Sequence, residues 1–378
     1  MKKIIISGAN FINKGAEAMM YITLEECIIR FPTAKYIIQL QSGFYVIRSL
    51  EELKKLSKKV LLTPKKNKFK KLKEIIKNYK RSNLLIDVSG FSLSSQIGVK
   101  ESIKYLLKIY LCKLFKTKVV LLPQSFGPFD YPRPLKFILK KIIKRVFKYP
   151  EAIFVREKKS NEYLRLIGVK NAILSTDLVL QNNTLINKIE INEDINNISE
   201  GKKVALVVNK RLYEQCGVEK VNKQYVYIIN KLKEYGNKIY LLCHASDDYE
   251  ICKDIKKHFP NDDNIVVLEN ILSCFEFQIF SRNFNYIIAA RYHSIVHAFK
   301  ENIPCIALGW SIKYEELLMN LNQEKYLINV NSTDAREIDY ILKEMENDYL
   351  KERKIICNKI KEIQKNNVFE KVTKIFKE

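Results

Sequence analysis

What most constrains the fold of this chain is a regular alternation of short apolar runs and amphipathic segments, each run closed by a polar tip. The clearest instance is residues 286–314, YIIAARYHSIVHAFKENIPCIALGWSIKY. The apolar run 286–290 stops at Arg291-Tyr292-His293-Ser294. A short helical pattern then carries His297, and a second apolar run, 303–308, ends at Gly309-Trp310 with Lys313 and Tyr314 just beyond. Strand, tip, helix, strand, tip make one βαβ unit. Ligands of open parallel sheets bind outside the carboxyl ends of the strands. Arg291, His293 and Lys313 should therefore flank one crevice suited to a small anion.

The same alternation runs through the chain. A strand at 3–7 leads through a turn holding Gly8, Asn13, Lys14 and Gly15 into a helix at 16–30. Backbone N–H groups at such a helix start suit a phosphate or carboxylate, and a plain tight turn explains the glycines equally well. Neither GxGxxG nor GxxxxGK[ST] occurs, so no dinucleotide fingerprint or P-loop is present. Further strands are expected at 36–40, 60–62, 84–88, 119–122, 152–155 and 172–174. Two of their ends carry polar chemistry, Asp87-Val88-Ser89-Gly90 and Pro123-Gln124-Ser125-Phe126-Gly127-Pro128, and a third carries Arg156. Gln124 and Ser125, fixed by neighbouring prolines and a glycine, and Arg156 are candidate contacts; a surface arginine would also account for the last.

Residues 181–201 are polar and Asn-rich without firm periodicity, and mark a domain boundary. A second series follows, with strands at 203–208, 238–242 and 265–268; the second ends at Cys243-His244, which makes His244 another candidate contact. The fold expected is α/β and GT-B-like: two doubly wound Rossmann-type domains facing a cleft, at 1–185 and 200–345, with a helical tail at 346–378.

Charge narrows the partners. Of 66 basic residues, 54 are lysine and 12 arginine, and the net charge is +24. Nine cations fall in 65–81 beside Glu74 alone, and seven in 133–148 with no acid. In the second cluster Leu135, Ile138, Leu139, Ile142 and Val146 recur at helical spacing among lysines. Such a helix packs on a sheet with its lysine stems outward, the reading favoured here, or lies on anionic lipid. The basic runs carry no nucleic-acid-binding module, so nucleic acid is not an expected partner. Eight scattered cysteines without a CxxC pair fit reduced thiols in the cytoplasm, and no signal peptide or membrane-spanning stretch is expected. His293 and His297 stand at i and i+4, but no third ligand accompanies them, so no metal site is expected.

Several of these motifs, taken in order, resemble the polysaccharide pyruvyl transferase family: N-K-G-A-E-A at 13–18, L-P-Q-S-F-G-P at 122–128, V-R-E-K-K-S at 155–160 with Asp177 after it, R-Y-H-S at 291–294, and I-P through G-W-S-I-K-Y at 303–314. The resemblance implies a GT-B-like enzyme that moves pyruvyl from phosphoenolpyruvate to a sugar hydroxyl pair as a cyclic ketal, in capsule, exopolysaccharide or cell-wall polymer synthesis. It implies no further cofactor. It places Arg291, His293 and Lys313 as the catalytic group. Arg156 follows as the first-domain arginine. Asn13, Lys14, Gly15, Gln124, Ser125, His244, Gly309 and Trp310 are then contacts for the two substrates. The acceptor would be a sugar, lipid-linked, at the inner face of the plasma membrane. Two departures lie in the first domain, the expected acceptor side: Ala16, with Glu17 next, where the family has an acidic residue, and Ser89-Gly90 where it has paired glycines.

A trianionic donor needs fixed cations, which Arg291, Lys313 and Arg156 supply by type. Histidine, with an ordinary pKa of roughly 6.5, can give the methylene its proton or take one from the hydroxyl. Two other classes remain open: a GT-B glycosyltransferase using a sugar nucleotide, and a non-catalytic scaffold at a membrane surface.

Overall fold

The computed structural model describes residues 2–8, 10, 11, 13–61, 68–182, 200–269, 272–309, 311–332 and 334–377. The chain divides into two compact units, Met1–Leu178 with Asn367–Glu378, and Val179–Asn366.

The first unit is wound around one sheet. Its elements begin with β1 (Lys3–Ser7), α1 (Lys14–Arg30), β2 (Lys35–Leu40), β3 (Gly43–Ile47), α2 (Leu50–Leu61), α3 (Lys68–Tyr79), β4 (Leu84–Asp87), β5 (Phe91–Leu93) and α4 (Val99–Leu114). They continue with β6 (Lys118–Phe126), α5 (Leu135–Val146), β7 (Ala152–Val155), α6 (Lys158–Leu166) and β8 (Ala172–Leu174), and α7 (Leu178–Gln181) leads out. The strand order is β3-β2-β1-β4-β6-β7-β8, with β5 beside the end of β6. Only β3 runs antiparallel, as a hairpin return on β2. Strands such as Leu84–Asp87 and Ala152–Val155 are buried at every position, as expected of a parallel sheet covered on both faces.

The stretch 60–62, read above as a strand, ends helix α2 instead as far as it is described. The reason is periodicity: Val60 follows Leu53 and Leu56 at helical spacing, so the apolar run extends that stripe. The hairpin strand β3 went unforeseen, because FYV alternates too briefly to stand out.

Helix α1 is buried from Gly15 through Cys27. Part of its cover comes from the C-terminal helix α15 (Phe369–Lys377), which belongs to the first unit. Phe376 stacks edge-on against Phe31 at 4.5 Å, its carbonyl accepts from Lys2 Nζ at 2.9 Å, and Asn367 Nδ2 donates to Glu26 Oε1 at 3.1 Å.

The second unit contains β9 (Lys203–Val207), α8 (Lys210–Cys216), α9 (Val218–Glu234), β10 (Lys238–Leu242), α10 (Tyr249–Lys256), β11 (Ile265–Val267) and α11 (Cys274–Phe280). It ends with β12 (Tyr286–Ala289), α12 (Tyr292–Lys300), β13 (Cys305–Gly309), α13 (Ile312–Asn320), β14 (Leu327–Asn329) and α14 (Ala335–Gln364). Its sheet, β11-β10-β9-β12-β13-β14, is parallel throughout. The stretch 346–378 is therefore not one tail: α14 buries Ile338, Ile341, Leu342 and Met345 in the second core, and α15 belongs to the first.

Candidate functional site

In the second unit the chain leaves β9 toward β10 on one side, while β12 leads to β13 on the other. The adjacent ends of β9 and β12 are thus the topological switch point, where open α/β sheets leave a crevice. Asn209, just past β9, caps α8 by accepting from the Arg211 N–H at 3.0 Å and donates from Nδ2 to the Ala290 carbonyl at 2.7 Å. Tyr314 Oη donates to the same carbonyl at 2.9 Å. These two bonds pin the backbone where Arg291 begins α12.

The Arg291 guanidinium lies against two aspartates. Nε donates to Asp248 Oδ2 at 2.7 Å, and Nη2 donates to Asp248 Oδ1 at 2.5 Å and to Asp247 Oδ1 at 2.9 Å. Asp248 is fully buried and also accepts the N–H groups of Lys210 and Ala245, at 3.0 and 3.1 Å. With these bonds Asp248 holds the Arg291 fork in place. Burial would lower the Arg291 pKa, but the hydrogen bonds and charge of Asp248, then Asp247, leave it above its ordinary value. Among the described residues Nη1 has no acceptor, so its N–H groups remain for a further partner.

His293 sits in the first turn of α12, partly buried, with its ring 5.2 Å from that of Tyr292 and nearly perpendicular. Lys313, in the first turn of α13, holds Nζ 5.8 Å from the Tyr292 ring centroid and 5.3 Å from that of Tyr314. Tyr292 therefore joins His293 and Lys313 into one patch at the ends of neighbouring strands β12 and β13. The N-caps of both helices, Arg291 and Ser311, make no side-chain capping bond. Gly309 closes β13 in a tight place, since a Cβ there would lie 2.8 Å from Leu327 Cδ1 and 3.1 Å from Tyr314. Trp310 lies outside the described residues.

His244 is in this unit as well. Its ring is buried, edge-on to Phe277 at 4.8 Å and 6.0 Å from His297, whose Nδ1 is 3.3 Å from Gln278 Oε1. These ring contacts set His244 against α11 and against α12, the helix that also carries His293. Among the described residues no group of three His, Cys, Asp or Glu side chains could hold a metal ion.

The first unit has its own switch point, between β1 and β4. Gly8, at φ +101°, lets the ends of these strands approach: a Cβ there would meet the Ser89 backbone at 2.8 Å. Asp87 ends β4 fully buried, ion-paired with Lys108 and accepting from Gln124 Nε2 at 3.4 Å, while Gln124 Oε1 accepts from Tyr105 Oη at 2.9 Å. Arg156 is buried as well. Nε donates to Glu157 Oε1 at 2.8 Å, Nη1 to Asp177 Oδ2 at 2.9 Å and Nη2 to Ser125 Oγ at 2.9 Å. Ser125 Oγ in turn donates to Glu157 Oε1 at 2.6 Å, and Ser160 Oγ to Glu157 Oε2 at 2.9 Å. The Arg156 charge is thus compensated within the unit by two carboxylates. At the start of α1, the Gly15 and Ala16 N–H groups donate to Asn13 Oδ1 at 3.0 and 3.3 Å, and Lys14 pairs with Glu17 at 3.6 Å. The anion cradle foreseen there is filled by the helix's own cap.

Asp247, Asp248 and Asn209 went unread as site residues. Their only sequence signal was placement after strand ends, and a capping Asn or a helix-opening Asp-Asp is commonplace there.

Two parallel-sheet units, each with polar side chains gathered at a switch point, define an α/β protein of the GT-B type. The family model for polysaccharide pyruvyl transferase matches residues 13–312, and the chain belongs to that family. Solved structures share the fold at low identity. The UDP-GlcNAc 2-epimerase of Methanocaldococcus jannaschii is 14% identical, with 92% of this chain and 93% of that one covered at a TM-score of 0.60. Staphylococcus aureus MnaA, solved with UDP, is 12% identical, with 94% and 91% covered at 0.59. Anabaena HepE, also solved in complex with UDP, is 10% identical, with 99% and 100% covered at 0.55. No curated protein sequence matches the chain.

Proposed function

We propose that this chain transfers the pyruvyl group of phosphoenolpyruvate to two hydroxyls of a hexose as a cyclic ketal. The observation that carries this is the Arg291 fork. It is clamped by Asp248 and Asp247 and, among the described residues, keeps Nη1 without an acceptor, at the start of the helix whose first turn also holds His293. Arg291 and Lys313 bind the donor's carboxylate and phosphate, and the uncapped starts of α12 and α13 add favourable dipoles.

The chemistry balances with donor and diol alone. Protonating the methylene carbon makes a methyl group and an electron-poor C2. One hydroxyl oxygen bonds to C2 and gives up its proton, the C2–O bond to phosphate breaks, and the second hydroxyl closes the ring. One hydroxyl proton ends on the methyl and the other on hydrogen phosphate. His293 is the proton carrier in this scheme. The first unit's strand ends, with Gln124 and Ser125, receive the sugar, on a lipid carrier at the cytoplasmic face of the membrane. Capsule, exopolysaccharide or cell-wall polymer synthesis is the proposed setting.

The test is phosphate release from phosphoenolpyruvate that depends on a lipid- or nucleotide-linked hexose. His293→Ala should lower it by at least roughly a hundredfold with the fold retained. Release at the wild-type rate in that variant removes His293 from the mechanism. Similar folds solved with UDP suggest a second reading, a sugar-nucleotide enzyme. Hydrolysis of a UDP-hexose without any turnover of phosphoenolpyruvate would favour it.

A further inference from the structure

Among the described residues, eight of the eighteen exposed large hydrophobic side chains lie on just two helices, α4 and α5. On α4 these are Ile103, Leu107, Tyr110 and Leu114, each about half exposed, at spacings of four, three and four. That is one continuous outer stripe of a helix. Its inner face, Tyr105, Leu106, Ile109 and Cys112, is buried in the core. On α5, the neighbour against which α4 packs, Leu139, Ile143 and Val146 are buried, while Leu135, Ile138 and Ile142 along the adjacent flank are 37–50% exposed and Phe137 is 58% exposed. Sheet packing thus accounts for only three of the seven apolar positions of α5. The remainder faces solvent together with the stripe on α4.

Cations surround this surface. Lys141, Lys144, Arg145 and Lys148 are exposed and make no ion pair among the described residues, and α5 contains no acidic residue. Lys100 and Lys104 stand on α4, the latter paired with Glu101 at 2.5 Å. Exposed apolar side chains concentrated on two packed helices mark an interaction site. The charge identifies the occupant. A second copy docked about a twofold axis would bring the same lysines face to face, in a chain of net charge +24. An anionic bilayer offers hydrocarbon to the aliphatic and aromatic side chains and negative headgroups to the cations. Among the described residues no helix is long and apolar enough to cross a membrane, so the contact is a surface one.

We propose that α4 and α5 together form a docking face for anionic lipid, with Leu107, Phe137 and Ile138 entering the headgroup boundary. This stands independently of the transferase reading. It is tested by cosedimentation of the full chain with vesicles of phosphatidylcholine, alone or mixed with phosphatidylglycerol. Binding should require phosphatidylglycerol and fall steeply with salt. Lys141→Glu with Arg145→Glu should weaken it by on the order of tenfold or more. Lys354→Glu with Lys361→Glu, an equal charge change on exposed positions of α14, should weaken it far less. Leu107→Ser with Phe137→Ser should weaken binding at low and high salt alike. All of these side chains are exposed, so melting temperature checks that each variant is folded. Equal loss from both charge pairs, equal binding to pure phosphatidylcholine, no binding by the wild type, or a salt-stable dimer dissolved by Phe137→Ser would each overturn the proposal.

Discussion

The two switch points use the same backbone device, and each pairs its arginine with two carboxylates. They differ in how completely the arginine is enclosed: its side chain is 5% exposed for Arg156 and 18% for Arg291. In the first unit, Arg156 is buried among Glu157, Asp177 and Ser125, and the opening amides of α1 are taken by Asn13. In the second, Arg291 also pairs with two carboxylates, Asp247 and Asp248, but among the described residues its Nη1 has no acceptor, and α12 and α13 start without side-chain caps. A network that satisfies itself serves the fold first. A braced cation beside helix starts suits a small polyanion. The difference teaches that an arginine at a strand end is not by itself a substrate ligand; what it already binds decides.

That contrast can be broken in several places, taken here from the largest expected effect. Arg156→Ala should cost about 3–5 kcal/mol of stability, because Glu157 and Asp177 are then buried without their cation; chemical denaturation measures it, and a loss below about 1 kcal/mol would mean that the network is not structural. Arg291→Lys keeps the charge but loses the two-pronged geometry. It should reduce acceptor-dependent kcat/KM about a hundredfold, some 2.7 kcal/mol, with the melting temperature little changed. The opposite pattern, intact turnover and a lowered melting temperature, would make Arg291 a second Arg156.

Lys300, in the last turn of α12, sharpens the comparison through pH. Burial pulls its ammonium down to about 8, against partial compensation by Glu301. The unfolded chain therefore holds more protons between about pH 8 and 10, and the lysine's cost is fully present below that window and fades as pH rises through it. Because Lys300 is only partly buried, Lys300→Met should stabilise by about 1–2 kcal/mol at pH 7, with the gap from wild type closing by about pH 10. A gap independent of pH would show that packing, not charge, sets the effect. Smallest is Asn13→Ala, which removes the α1 cap and should cost about 1 kcal/mol. A gain in anion affinity at that helix start would extend the role of the first unit.

Much of this was legible in the chain. Apolar runs such as LLI at 84–86 and AIFV at 152–155 announce buried parallel strands, and the turns Arg291-Tyr292-His293 and Gly309-Trp310 mark neighbouring strand ends. The hairpin strand β3 and the helical end of α2 were not, because three or four apolar residues fit either period. The partners of each arginine were hidden as well: Asp248 precedes Arg291 by 43 residues, and Asp177 follows Arg156 by 21.

What the sequence by itself determined is the alternation, the residue types at each strand end, and the family those motifs resemble, since all are local in the chain. Only the tertiary structure decided which charges are consumed inside a unit and which face outward, and which part of the α5 apolar stripe is packed. Those outcomes depend on carboxylates and helices brought together from distant parts of the chain, and no local pattern encodes that proximity.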